Sequence, residues 1–283
     1  MDTIQLRQVR LLEMSAASGL LLLNDNFYVI ADDEHELHIY PKGSDVPVQK
    51  IQIVHGQLPE EAKARKSQKP DFESLVHLPS INSILVVPSG STAHRANGIL
   101  IQSDSKTKIN FAALYQSLTE ISDLNIEGSV IVGDLVKLFH RGNGIDQQNF
   151  IISLNLKIFL DEILSDNAVT ARSLRGIEKC DLGELSGQKL SFTDAATESD
   201  DRIWYVAVVE GGKSTYFDGE FGGAVIGCID SKNKIIRERK LNCPAKPEGL
   251  ALDIPSKKFY VVTDPDNRSL RSQLFEGDLF YDV

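Results

Sequence analysis

Five short segments hold the residues whose types could act together in chemistry: Ser18-Gly-Leu20, Glu73-Ser-Leu75, Glu127-Gly-Ser129, Asp194-Ala-Ala196 and Glu248-Gly-Leu250. Four of them offer a carboxylate. Carboxylates gathered in one place repel, so they require a hard cation, arginine or lysine partners, or raised pKa values. Partners stand nearby: Lys69 precedes Glu73 in Lys69-Pro-Asp-Phe-Glu73, and Lys246 precedes Glu248. More polar residues follow the apolar run that succeeds each segment. These are Asp32 and Asp33, then Ser89, Ser91, His94, Arg95 and Asn97, then Arg141 and Asn143, then Glu210, then Asp264, Asp266, Asn267 and Arg268.

The elements that must position these residues read as strands. Each segment opens an apolar run, a turn follows, and a second run rich in β-branched and aromatic residues returns, as in Phe27-Tyr-Val-Ile-Ala31, Ile203-Trp-Tyr-Val-Ala-Val-Val209 and Lys258-Phe-Tyr-Val-Val-Thr263. The openers start at 18, 73, 127, 194 and 248, spaced by 55, 54, 67 and 54 residues, and 53 residues separate the last from the first around the chain ends. Five units with room for four strands each predict an all-β fold, a five-bladed β-propeller forming a single domain over residues 1–283, with six irregular blades as the alternative. The last unit stops after a third strand at Ser272–Gly277, so the alternating run Ile4–Leu12 is expected to supply its outer strand and close the ring. Val48–Val54 reads as the fourth strand of the first unit. The long third interval holds an insertion near Lys157–Asn167, in which Ile158–Leu164 suits either a short helix or a long strand. Pro59–Lys69 and Thr197–Asp201 read as surface loops.

In antiparallel pairs the start of one strand and the end of the next lie at the same end of the sheet. The openers and the returning loops therefore converge on one axial mouth. The candidate ligand-binding residues are Glu73, Arg95, Asn97, Glu127, Arg141, Asn143, Asp194, Glu248, Asp264 and Arg268, with Glu73, Glu127 and Glu248 as candidate metal ligands. Capping or pairing with a neighbouring arginine accounts for any one of these acids alone. The ring as a whole points to a ligand site, holding a cation, an anionic ligand gripped by Arg95, Arg141 and Arg268, or both. His94 and His140 stand at related loop positions, suited to acid–base work, a phosphate contact or a plain loop hydrogen bond.

Composition narrows the partners. With 42% hydrophobic residues the 283-residue chain can bury a core without disulfides, and a formal charge of −10 opposes a broad grip on nucleic acid. The longest early apolar stretch, Ser18–Leu23, is too short to span a bilayer, so no membrane association is expected. Cys180, Cys228 and Cys243 lack the spacing of a zinc site and read as reduced thiols of a cytoplasmic protein.

Glu248-Gly-Leu-Ala-Leu-Asp253 followed by Lys258-Phe-Tyr-Val-Val-Thr-Asp264 resembles a superfamily of bacterial propellers, the phytase-like and SdiA-regulated proteins and their relatives with a repeated Glu-Gly-Leu opener. Ser18-Gly-Leu20, Phe72-Glu-Ser-Leu75 and Ile126-Glu-Gly-Ser129 look like further copies. The resemblance implies a calcium-assisted phosphoesterase or a related ligand binder. Expected function is thus a metal-assisted hydrolase acting on a phosphorylated or anionic small molecule, with Ca²⁺ as cofactor. The alternative is a non-catalytic module binding a small ligand or a partner peptide at the same mouth.

Overall fold

A computed structural model of the protein describes residues 2–44, 49–144, 146–211 and 220–281. Five antiparallel sheets surround one axis. Blade 1 comprises Ala17–Leu23, Asn26–Ala31, Glu36–Pro41 and Gln49–Gln52; Val48, the predicted start of its fourth strand, lies outside the described residues. Blade 2 comprises Phe72–Leu78, Ser83–Pro88, Asn97–Ile101 and Lys106–Asn110, and blade 3 Ile126–Val132, Leu135–His140, Asn149–Asn155 and Leu174–Cys180. Blade 4 comprises Ser191–Ser199, Arg202–Gly211, Glu220–Asp230 and Ile235–Asn242. Blade 5 comprises Lys246–Asp253, Lys258–Asp264 and Gln273–Asp278, and takes its outer strand, Arg7–Leu11, from the other end of the chain. The residues just before, Thr3–Gln5, pair in parallel with the outer strand of blade 4.

Side chains alternate across a strand, so both faces of each blade fill a cleft shared with a neighbour. In blade 3, Leu138 joins Leu85 and Phe111 in the cleft toward blade 2, whereas Phe139 packs with Phe192 and Tyr205 toward blade 4. Five such apolar clusters occupy the five clefts. Between blades 2 and 3 the cluster also takes in Leu114 of α1 (residues 112–117) and Phe159 of α2 (residues 156–166). The insertion at Ile158–Leu164 is therefore a helix. Asn155 caps its start by accepting from the Ile158 N–H at 3.0 Å. Pro59–Lys69 contains a short helix, Ala62–Gln68, and most of Thr197–Asp201 is hairpin strand with its turn at 200–201.

The inner strands carry a shared irregularity. Each has a break in register that inserts one residue: between Ala17 and Gly19, Phe72 and Ser74, Ile126 and Gly128, Phe192 and Asp194, and Pro247 and Gly249. The bulged residues are Ser18, Glu73, Glu127, Thr193 and Glu248. This corrects the predicted fourth repeat by one position, since Thr193 stands where three other blades place their glutamate. Asp194 stands where they have Gly or Ser.

That following position lies where neighbouring inner strands approach most closely. A Cβ added at Gly19 would lie 3.0 Å from the Glu73 carbonyl oxygen, at Gly128 3.0 Å from Ala195 N, and at Gly249 2.8 Å from Leu20 N. The two remaining seams use a side-chain bridge. Ser74 Oγ and Ser129 Oγ are 2.7 Å apart, and the Asp194 carboxylate accepts from Leu250 N–H at 2.7 Å. Ser18 and Thr193, the bulged residues without an acid, each donate to the carbonyl preceding a neighbour's bulge, Phe72 at 2.5 Å and Pro247 at 2.7 Å.

Replacing Gly249 by Ala is expected to lower unfolding stability by roughly 1–3 kcal/mol because backbone must move to admit the methyl group. Gly176→Ala, in an outer strand with open space around the added carbon, is expected to stay within about 0.5 kcal/mol of the parent. Urea unfolding of the two variants side by side checks this, and equal stabilities would contradict the seam assignment.

Candidate functional site

A β-bulge re-aims the side chain it inserts. The bulges present Ser18, Glu73, Glu127 and Glu248 to an axial cavity of about 370 Å³, which the ends of the returning strands reach with Asp32, Arg141 and Asp264. Two residues before a bulge, Ala16, Asp71, Asn125 and Lys246 also line it. Five cationic side chains face seven anionic ones across the lining.

Two ionic networks divide the cavity. In the first, Arg141 from blade 3 contacts Glu210 of blade 4 at 2.7 Å, Glu248 of blade 5 at 3.3 Å and Glu127 of its own blade at 3.4 Å. Lys246 adds contacts to Glu248 at 2.9 Å and to Glu210 and Asp266 at 3.2 Å each. Burial drives the Glu210 carboxyl upward, but Arg141 and Lys246 outweigh it and hold it below its ordinary range. Glu127 fares differently. Its burial prevails over Arg141, Glu248 and Glu210 add repulsion, and its pKa is pushed up to about 8. Asp264, close by, is likewise raised by burial to about 8, against the pull of Lys246.

The second network centres on Asp71. It accepts from Ser89 at 2.5 Å, Ser91 at 3.0 Å and Arg95 at 2.9 Å, and pairs with Lys69 at 2.8 Å. Lys69 also donates to Asp32. Burial opposes ionisation of Asp71, yet Lys69 and Arg95 keep its pKa below the usual value. Burial takes Asp32 to about 6 despite Lys69. Glu73 stands beside both and is only 8% exposed, but among the described residues it has neither a hydrogen bond nor an ion pair. Burial, then repulsion from Glu127, Asp71 and Asp32, pushes its pKa well above the carboxylate range.

Of the residues picked out by sequence, Glu73, Arg95, Glu127, Arg141, Asn143, Glu248 and Asp264 line the cavity. Three do not. Asn97 sits at the start of a blade 2 strand opposite Asn110. Asp194 is turned into the seam with blade 5, and Arg268 is half-exposed near Asp33 and the Glu60 carbonyl. The three arginines expected to grip one anion thus do not converge, and Arg95 and Arg141 already face carboxylates. Nor do Glu73, Glu127 and Glu248 form one ligand group. Glu73 gathers instead with Asp32 and Asp71, their ligand atoms within 4.8 Å of one another, while Glu127 and Glu248 turn to Arg141. His94 lies exposed on the rim. His140 is buried off the cavity, which lowers its pKa to about 4, and its neutral Nδ1 accepts from Asn125 N–H at 3.0 Å.

With this geometry in place, the comparisons with known proteins are consistent. A family model described as "Family of unknown function (DUF6929)" matches residues 13–279. The chain belongs to this family. No curated protein matches the DUF6929 chain by sequence. Among solved structures it is similar to Myxococcus xanthus glutaminyl cyclase, at 10% identity over 99% of both chains with a TM-score of 0.53. It is also similar to the WD40 β-propeller domain of Doa1, at 6% identity over 96% of this chain and 97% of the other with a TM-score of 0.45. At these identities the likeness is one of fold alone, and the five four-stranded blades themselves make the chain a β-propeller. The finer resemblance to phytase-like and SdiA-regulated propellers finds no support in these matches. Among the described residues, no helix is long and apolar enough to cross a membrane. The three cysteines are free thiols, all with raised pKa values caused by burial.

Arg141→Met should cost roughly 3–5 kcal/mol, because the buried carboxylates of Glu210 and Glu248, on two other blades, lose a shared counter-charge; chemical denaturation at neutral pH reads this. The raised pKa values fix the sign of the pH dependence. Glu127 and Asp264 bind protons in the fold up to about pH 8, whereas in the unfolded chain they ionise near 4, so stability falls as pH rises through that window. Glu127→Gln should flatten the decline, and a melting profile parallel to that of the parent would contradict it.

Proposed function

We propose that the axial cavity binds a divalent cation through Asp32, Asp71 and Glu73 and holds a phosphate-bearing small molecule there for hydrolysis. The observation that carries this reading is Glu73, a buried carboxylate lining the cavity that, among the described residues, has no hydrogen bond or ion pair and feels nearby Lys69 only as a longer-range attraction. Lys69 and Arg95 already serve Asp32 and Asp71. Glu73 is the uncompensated acid of that half of the cavity, and a cation that displaces its proton removes the repulsion. Three carboxylates suit a hard ion such as Ca²⁺, Mg²⁺ or Mn²⁺. A bound ion would supply the positive charge that draws a phosphate to the site and polarises it.

The chain's own residues supply the rest. Thr92, His94 and Lys66 also line the cavity and carry O–H and N–H groups that can donate to phosphate oxygens. Glu127 and Asp264, with pKa values of about 8, hold their protons at neutral pH, as a general acid requires. Water adds to phosphorus as the ester P–O bond breaks. Glu127 gives its proton to the departing alkoxide and recovers one from the added water, so the enzyme returns to its starting state. The same cavity without turnover is the binding-module reading, and the phosphate arm of the test below separates the two.

The test is a thermal-shift titration of chelator-treated protein with Ca²⁺, Mg²⁺ and Mn²⁺, each with and without a phosphate monoester. At a hundredfold excess over Kd a cation should stabilise by about 2.7 kcal/mol, with a further rise and phosphate release when the ester is present. Glu73→Gln should abolish the cation response while raising the melting temperature of the metal-free protein. A cation response without ester turnover reduces the proposal to binding, and no response from the wild type overturns it.

A further inference from the structure

A second group of potential ligands lies away from the axial cavity, on the third strand of blade 1. Glu36, His38 and Tyr40 alternate along that strand and so share one face, and Glu34 in the preceding turn continues the line. His38 is fully buried, while the side chains of Glu34 and Glu36 are 22% and 38% exposed. The imidazole Nε2 lies 3.3 Å from Glu34 Oε2 and 3.7 Å from Glu36 Oε2. It makes a hydrogen bond to neither, and it is an orphaned buried polar atom. On the other side of the ring, Nδ1 is 3.2 Å from the Tyr40 hydroxyl, which also accepts from Glu13 N–H at 3.0 Å. Among the described residues, neither Glu34 nor Glu36 has a lysine or arginine partner.

Two glutamates and one imidazole nitrogen thus face a common point, with no lysine or arginine paired to either glutamate among the described residues. Either a proton on His38 or a metal ion would relieve the arrangement. A protonated imidazole would be expected to place an N–H···O bond on one carboxylate, and none is formed. The spacing instead fits ligands of one ion: two donors about 2.1 Å from a tetrahedral centre stand about 3.4 Å apart. We propose that Glu34, Glu36 and His38 form a binding site for a first-row transition-metal dication, with zinc as the best chemical match. A mixed nitrogen and oxygen donor set favours such an ion over calcium or magnesium, which prefer oxygen alone. Tyr40 holds the imidazole from behind, as the outer partners of metal-bound histidines do. Burial pushes its own pKa up to about 12, so the hydroxyl stays protonated. The partial exposure of the two glutamates opens the fourth position to water. This site is independent of the proposed use of the axial cavity.

The experiment is calorimetric titration of the chelator-stripped full chain with Zn²⁺ at neutral pH, repeated with Co²⁺ while recording its visible absorption. Expected is one zinc per chain that survives Glu73→Gln, and a cobalt spectrum of low coordination number. The double variant Glu34→Gln/Glu36→Gln alters only partly exposed side chains and should remain folded, with affinity weakened at least about tenfold. His38→Gln should do the same where circular dichroism shows it folded. Zinc binding unchanged in the folded double variant overturns the proposal. So does a wild type that binds no zinc and shows an imidazolium signal for His38, because the group is then an ion pair.

Discussion

Five inner strands meet around one axis, and their backbones come so close that the residue after each bulge has almost no room for a side chain. Gly19, Gly128 and Gly249 meet this constraint by having none, while Ser74 and Asp194 meet it by bonding across the seam. Much else follows. Close inner strands leave only wedge-shaped clefts between blades, and these are filled by alternate side chains of both faces, giving five apolar clusters rather than one central core. The bulge that precedes the small residue turns its own side chain toward the axis. The axial cavity is thus the region where polar groups from several blades converge.

Charges brought to that region from different blades are compensated in two ways. Arg141 spans blades 3, 4 and 5, so a single guanidinium serves glutamates up to 107 residues distant in sequence. The Asp71 network is local, built from Lys69, Ser89, Ser91 and Arg95, which flank the first two strands of blade 2, together with Asp32 of blade 1. Glu73 falls between the two. Each network satisfies its own members, and the acid at their boundary keeps its proton or exchanges it for another cation.

The ring and its closure were legible in the sequence because they rest on a period and on alternation. The period shows in the spacing of the openers and the alternation in Ile4–Leu12, and the closure by that run followed from a missing fourth strand. The cavity was legible as a set of converging acids, since the antiparallel turn fixes which ends meet. What escaped was local. Thr193 and Asp194 are one step apart, and only the pairing register reveals that the threonine occupies the bulge. Asp71 and Asn125 were missed although they lie two positions before Glu73 and Glu127; both precede their inner strands, and Asp71 has a left-handed backbone, so strand alternation does not place their side chains. The partnership of Arg141 with Glu210 depends on how two blades are rotated about the axis, and no spacing encodes that. Glu36 and His38 do carry a strand-face signal, one hidden within a segment that also reads as an ordinary third strand.

The first residues of the chain are divided between two blades, with Thr3–Gln5 on the outer edge of blade 4 and Arg7–Leu11 on the open edge of blade 5. During synthesis these residues emerge well before their partners around Ile235–Asn242 and Gln273–Asp278. Until then the early segment has no edge to join, and the ring stays open with unpaired strand edges capable of joining another chain. Ring closure is thus a late event of folding that locks two blades at once. A chain stalled before its last strand would be an open arc prone to exchange its first segment with a second copy.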